Sequence, residues 1–298
     1  MYYPLVTKSF QFKDQDIDKN KVITALNSCY ENTSFSTFPY LYDNYNSQEA
    51  IDNTNSGNCI GLCLFIKNFL KERYGVNSKL IPASIPNMYK KEGYLPISHV
   101  ALAIPTNKNQ AYIADPAFYL KEPILFDKTG CAGDVDSSNI YDDTLDELEY
   151  KGQFDDHAVS LHEKQKIPKN THRCECFKKT DPDDKWNYYL REAVDPDKSI
   201  GTFYINMQKP FISTTRLDKN NQCRMGTYVK LDGDKLIIKK NNKIYFEGNK
   251  NEIPRKVLLE LNKTLYPFFK EDIGSILKKP LVGGHYISSR GSKSGGTR

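Results

Sequence analysis

No stretch of this sequence is apolar for the roughly 20 residues that a membrane-crossing helix requires. The opening Met1-Tyr2-Tyr3-Pro4 has neither the basic nor the apolar region of a secretory leader, so the chain reads as cytoplasmic with no membrane partner. The short signatures of phosphate and metal chemistry are missing too: there is no G-x-G-x-x-G, no G-x-x-x-x-G-K-[ST] and no H-E-x-x-H. Dinucleotide, P-loop and zincin readings therefore have no support. No long basic block occurs outside the C-terminal tail, and 42 Lys+Arg against 37 Asp+Glu leave a net charge of only +5, which gives no reason to expect nucleic acid. A disulfide framework is also lacking. Seven cysteines, an odd number, lie irregularly along 298 residues and read as reduced thiols, most of them buried small hydrophobes.

What is present is an ordinary globular composition, 39% hydrophobic and 27% charged, in a chain long enough for two or three subdomains. Residues 1–90 carry two helix candidates, 18–30 and 59–74, separated by a loop rich in Asn, Ser, Thr and Tyr. From residue 95 onward, short apolar runs of period two replace them, at 98–104, 111–115, 174–177, 186–192 and 202–207; residues 91–210 thus read as a β-rich, barrel-like region. Within it, residues 142–150 read as a short surface helix. Residues 211–280 read as a three-stranded meander, punctuated by Asp232-Gly233-Asp234 and Asn241-Asn242, and closed by a helix with Pro254 in its first turn and Leu258, Leu261, Leu265 and Phe268 on one face. Residues 281–298 form a flexible, mildly basic tail. The expected class is α+β.

The chemistry concentrates in three places. Gly57-Asn58-Cys59-Ile60-Gly61-Leu62-Cys63 sets Cys59 where a polar loop turns into an apolar helix, so the positive end of the helix dipole favours a thiolate there. Cys63, one turn on, lacks the free amides of the helix start and is the weaker candidate. Ser98-His99-Val100 starts one strand and Ala114-Asp115-Pro116 ends the next. In the intervening hairpin, pairing Ile104 with Ala111 places His99 opposite Pro116, and pairing Ile104 with Gln110 places it opposite Asp115. Either register puts a carboxylate within reach of an imidazole, which it would orient and hold charged. Cys59, His99 and Asp115 are the candidate nucleophile, base and orienting acid, and backbone amides at the head of the Cys59 helix are candidate oxyanion donors.

These residues resemble the arylamine N-acetyltransferase family, within the papain-like and transglutaminase-like Cys-His-Asp folds. The resemblance rests on Gly57-Asn58-Cys59 before an apolar helix, Ser98-His99-Val100-Ala101-Leu102 and Tyr112-Ile113-Ala114-Asp115-Pro116-Ala117-Phe118, and more weakly on residues 206–215 with the meander and helix that follow. It implies a cysteine-protease-like fold and ping-pong transfer of an acetyl or other acyl group from a coenzyme A thioester, through Cys59, to a small amine. It also implies a substrate contact for Phe118, a coenzyme contact for Thr214 and Thr215, acetyl-coenzyme A as cosubstrate, and no metal. The sequence departs from the family around the nucleophile: Asn55-Ser56-Gly57-Asn58 stands where an arginine and paired glycines are usual, and Gly61 where a glutamate is usual. A transglutaminase-like hydrolase or peptidase, using the same thiolate on a peptide carbonyl, is the alternative.

One further cluster, His172-Arg173-Cys174-Glu175-Cys176, sets three soft ligands on one face of a strand. With no second pair of cysteines to complete a tetrahedral site it reads as packed strand residues. His157 and His162 read as surface residues.

Overall fold

The computed structural model describes residues 15–90, 97–106, 109–127, 129–137, 145, 147–155, 159–162, 165–167, 171–190, 210–220 and 222–282. Four helices come first: α1 (Lys19–Asn32), α2 (Phe38–Tyr42), α3 (Ser47–Thr54) and α4 (Cys59–Tyr74), with short strands β1 (Ser34–Ser36) and β2 (Ser56–Gly57) between them. The α4 helix occupies the span its apolar pattern predicts. Asn58 caps its first turn, and Gly75 ends it at φ 68, where a residue without a Cβ is unstrained. Lys71 and Arg73 lie in the last turn, where positive charge complements the helix dipole.

An eight-stranded sheet follows in the order β6-β5-β4-β3-β12-β11-β8-β7. Its strands are β3 (Lys79–Ala83), β4 (His99–Pro105), β5 (Gln110–Ala114), β6 (Ile124–Asp127), β7 (Ala132–Asp136), β8 (Glu147–Asp155), β11 (Thr171–Lys178) and β12 (Asp181–Tyr189). The edge strands β6 and β7 lie against each other, and a bridge between Leu120 and Ser137 helps draw the sheet into a nearly closed barrel. A separate hairpin comprises β9 (Val159–His162) and β10 (Gln165–Ile167).

Alternation along β4 divides two cores. Val100, Leu102 and Ile104 pack with Ile60, Leu64 and Ile66 of α4, whereas Ala101 and Ala103 turn into the barrel with Ile113, Phe126, Trp186 and Tyr188. Every residue of β4 is buried, so the strand that begins at His99 is clamped on both faces.

The second sheet, β16-β15-β14-β13-β1-β2, is built from β13 (Phe211–Leu217), β14 (Cys223–Asp232), β15 (Lys235–Lys240) and β16 (Lys243–Asn249), together with β1 and β2 from the helical region. Where three strands were expected the meander has four, extended by two more from the start of the chain. The β15–β16 turn pairs Lys240 with Lys243 around Asn241 and Asn242, both at positive φ, as a two-residue hairpin of the I′ type requires. Helices α5 (Arg255–Leu265) and α6 (Ile273–Ile276) cover one face of this sheet, with Leu261, Leu265, Phe269 and Ile276 against Ile212, Val229, Leu236 and Ile238. Pro254 precedes α5 as its cap and does not lie inside the first turn.

Of the helix expected over 142–150, residues 147–150 are strand and residue 145 is in neither a helix nor a strand. In β8, Leu148 and Tyr150 are buried and Glu147 is exposed, a period of two that the pairing with β7 and β11 imposes over the helical propensity of the acidic run. The strand expected at 202–207, His157 and most of the expected tail lie outside the described residues. No helix among the described residues is long and apolar enough to cross a membrane.

Candidate active site

Cys59 is the first residue of α4 and is only 7% exposed. The strand pair β1–β2 brings the chain to it, with Gly57 in register with Phe35. A Cβ at Gly57 would stand 3.0 Å from the Tyr40 hydroxyl and 3.1 Å from the Gly61 Cα, so any side chain there would press on both.

His99 and Asp115 are joined across the β4–β5 hairpin, His99 Nε2 lying 2.7 Å from Asp115 Oδ2 with both side chains buried. The register differs from both of those expected. Leu102 pairs with Ala114 and Pro105 with Ala111, so the hairpin loop closes one residue later along the first strand. Extrapolated beyond the last pair, Asp115 stands opposite Ala101 and meets His99 on the diagonal, on the face that points into the barrel.

The two carboxylate oxygens of Asp115 have separate tasks. Oδ1 accepts from the amides of Ala117 and Phe118 at 3.2 and 3.4 Å, capping the single 3₁₀ turn Pro116–Phe118. Oδ2 accepts from His99 and from the hydroxyl of Tyr188, also at 2.7 Å. The Asp-Pro turn and the carboxylate–imidazole pair are thus one structure. Tyr188 is the residue that sequence reasoning missed. The signal lay in its alternation with Trp186 on β12, which points both side chains into the barrel, where a buried phenol must find an acceptor.

Burial pulls the His99 imidazole toward neutrality. The charge and hydrogen bond of Asp115, together with a hydrogen bond to Cys59, overcome that pull and push its pKa up to about 10. With Nε2 committed to Asp115, Nδ1 is the ring nitrogen left for the sulfur. The structure therefore brings the buried side chains of Cys59, His99 and Asp115 together, with His99 hydrogen-bonded to Asp115 and its titration influenced by the neighbouring Cys59. Cys63 is in the core behind them, its thiol 3.7 Å from the Val100 carbonyl and pushed well up in pKa by burial, a setting that keeps it protonated.

Phe118 is partly buried beside the imidazole, its ring centroid 4.5 Å from that of His99 and 5.6 Å from that of Trp186, and it stacks with Tyr89 at 6.2 Å. Thr214 and Thr215 are buried in β13, and their hydroxyls are engaged inside the protein. Thr214 Oγ1 accepts from the Thr227 amide at 2.8 Å, and Thr215 Oγ1 donates to the Tyr30 carbonyl at 2.9 Å. The amides expected to serve as oxyanion donors are partly occupied as well, because those of Ile60 and Gly61 donate to the Asn58 side chain.

On β11, Cys174 and Cys176 are fully buried in the barrel core, and the His172 ring contacts those of Phe126 and Phe154. Among the described residues no group of three or more His, Cys, Asp or Glu side chains is placed to hold a metal ion.

No protein-family model matches this chain, and no curated protein matches its sequence. Solved structures do match. The arylamine N-acetyltransferase of Salmonella typhimurium is 11% identical, covers 93% of this chain and 93% of its own, and gives a TM-score of 0.50. An arylamine N-acetyltransferase of Bacillus cereus with a Cys-His-Glu catalytic triad is 18% identical, with 85% and 92% covered and a TM-score of 0.48. The Mycobacterium marinum arylamine N-acetyltransferase in complex with coenzyme A is 13% identical, with 87% and 89% covered and a TM-score of 0.45. The shared property is the fold: this chain has the α+β fold of the arylamine N-acetyltransferases.

Proposed function

We propose that this protein is a thiol acyltransferase that moves an acetyl or other acyl group from a coenzyme A thioester to a small amine, with Cys59 as the acyl carrier. The observation that carries the reading is the buried set Cys59–His99–Asp115, anchored by the 2.7 Å contact between His99 and Asp115. A cationic imidazole beside the sulfur favours the thiolate, and the head of α4 adds positive potential. The thiolate attacks the thioester carbonyl, and the departing coenzyme thiolate takes a proton from His99. In the second half-reaction the amine attacks the Cys59 thioester and loses its proton to His99, and the sulfur leaves as thiolate paired again with the imidazolium.

The Asp115 carboxylate fixes the ring and offsets its charge, and Tyr188 holds Asp115 in turn. Phe118 lies against the imidazole as an aromatic wall for the acceptor. The hydroxyls of Thr214 and Thr215 are already engaged, so we assign the coenzyme no contact from them. Support for the transferase reading over a hydrolase comes from the fold likeness.

Incubation with acetyl-coenzyme A followed by mass spectrometry tests the proposal. An acetyl group on Cys59, absent from Cys59→Ala and discharged by an added arylamine, is the expected result. If coenzyme thioesters leave Cys59 unmodified while a peptide electrophile labels it, the transferase reading is wrong and a hydrolase is indicated.

A further inference from the structure

The loop before the nucleophile is where this chain departs most from the arylamine N-acetyltransferase pattern, and its geometry gives the departure a purpose. The Asn58 carboxamide is fully buried and fixed in orientation. Its Oδ1 accepts from the Ile60 amide at 3.0 Å, the Gly61 amide at 3.1 Å, the Tyr40 hydroxyl at 3.0 Å and, at 3.4 Å, the Ser47 hydroxyl. Backbone amides only donate, so the atom that faces them is the oxygen and the other terminus is Nδ2. That nitrogen is buried and has no acceptor. Tyr40 secures the residue from its other end, accepting from the Asn58 amide at 3.0 Å. Gly61 leaves room for this network, since a Cβ there would lie 3.3 Å from the same hydroxyl.

An unmet buried donor costs about 1–3 kcal/mol. This one sits on the residue that leads directly into the candidate nucleophile, and the next donor along the backbone, the Cys59 N–H, has no acceptor among the described residues either. Two adjacent donors lacking a protein partner are thus held rigidly at the head of α4, while the amides of Ile60 and Gly61 are spent on the cap.

We propose that Asn58 Nδ2 and the Cys59 amide form the oxyanion hole, Asn58 being a catalytic residue that supplies a side-chain donor. The inference rests on Cys59 acting as an acyl carrier. When the thiolate forms its bond to the thioester carbon, the carbonyl π pair moves onto oxygen, and that oxyanion takes the two hydrogen bonds. Collapse restores the carbonyl and breaks the bond to the leaving sulfur, which His99 protonates. The donors contact the oxygen throughout, and they hold it most strongly when it carries full charge.

The test compares two reactions of the same sulfur: acylation by p-nitrophenyl acetate in a single turnover, which builds an oxyanion, and alkylation by iodoacetamide, which does not. Asn58→Asp keeps an acceptor for the cap and removes the donor. Its acylation rate should fall roughly 100- to 1000-fold, the scale of losing one oxyanion donor, while alkylation, compared on its pH plateau, keeps its rate. Asn58→Gly, which has no side-chain donor and costs a helix cap little, gives the same comparison should the aspartate variant not fold. Acylation that is unchanged, or that falls in step with alkylation, overturns the assignment. A wild-type Cys59 that alkylates but takes no acyl group from either p-nitrophenyl acetate or acetyl-coenzyme A removes the proposed function first and this inference with it, a result visible before any variant is made.

Discussion

Asp115→Asn isolates what the carboxylate does for the imidazole. In the wild type, burial works against a charged His99 and Asp115 leads the groups that reverse it, moving the pKa from 6.5 to about 10. An amide of the same shape retains the cap on the 3₁₀ turn but carries no charge, and burial then prevails and leaves His99 neutral at pH 7. The group's folded pKa lies above its unfolded value, so the unfolded chain releases the proton first as pH rises past 6.5. The associated stability is complete below that pH and lost by about pH 10. At about 1.4 kcal/mol per pH unit, the wild type should shed on the order of 5 kcal/mol across this window, and the variant should lack this loss. Denaturant titrations at intervals from pH 6 to 10 measure the difference, and the C–H resonances of the five histidines give the His99 titration directly. Acylation of Cys59 in the variant should fall by about two to four orders of magnitude, because the ring no longer holds the right tautomer or charge. A variant whose His99 still titrates near 10, or a wild type as stable relative to the variant at pH 10 as at pH 6, would refute the account of the pair.

Tyr188→Phe removes one of the two hydrogen bonds on Asp115 Oδ2, a bond to a charged acceptor, and should lower the unfolding free energy by about 1.5–3 kcal/mol, read by chemical denaturation; a loss within error would place the carboxylate's support elsewhere. Gly57→Ala forces a methyl against Tyr40 and the Gly61 backbone, and should destabilise by about 1–3 kcal/mol while slowing Cys59 alkylation, because α4 must shift. Brief treatment of the native protein with iodoacetamide at pH 7 should modify Cys59 and spare Cys63, whose burial keeps it protonated; peptide mapping that finds Cys63 labelled first would exchange their roles. Leu261→Ala opens a cavity under the second sheet, remote from Cys59, and should cost about 2–5 kcal/mol with the alkylation rate unchanged in the folded protein.

The parts of this fold that were legible in the sequence are those whose information is local. The α4 helix has a capping asparagine, an apolar body and a terminal glycine within one stretch, and it occupies the expected span. The Asn241-Asn242 turn is equally self-contained. The misread elements depend on distant partners. The acidic run before Tyr150 has helical propensity, and only pairing with β7 and β11 makes its end a strand. The short strands β1 and β2 have almost no pattern of their own. The first exists because β13, nearly 180 positions later, supplies its hydrogen bonds, with Phe35 opposite Ser213, and β2 in turn pairs with β1. That pairing carries the C-terminal sheet up to Gly57 and so helps set the position of Cys59.

The hairpin shows the limit more sharply, because there the residues were found for a partly mistaken reason. A strand's side chains alternate, so shifting the register by one residue moves Asp115 to the other face relative to His99, and shifting it by two restores the face and changes only the distance along it. Of the two expected registers, the one that put Pro116 opposite His99 would have sent Asp115 toward α4. The observed register has the parity of the other, displaced by two, and the contact survives as a diagonal one. Turn chemistry at Pro105 and Gln110 could not choose among these. The choice follows from the apolar residues: Val100, Leu102 and Ile104 must meet α4, and Ile113 must enter the barrel opposite Ala103, which leaves Asp115 on the barrel face beside Tyr188. The packing of the apolar side chains therefore decides whether Asp115 and His99 meet, and the same packing sets the imidazole near the sulfur at the head of α4.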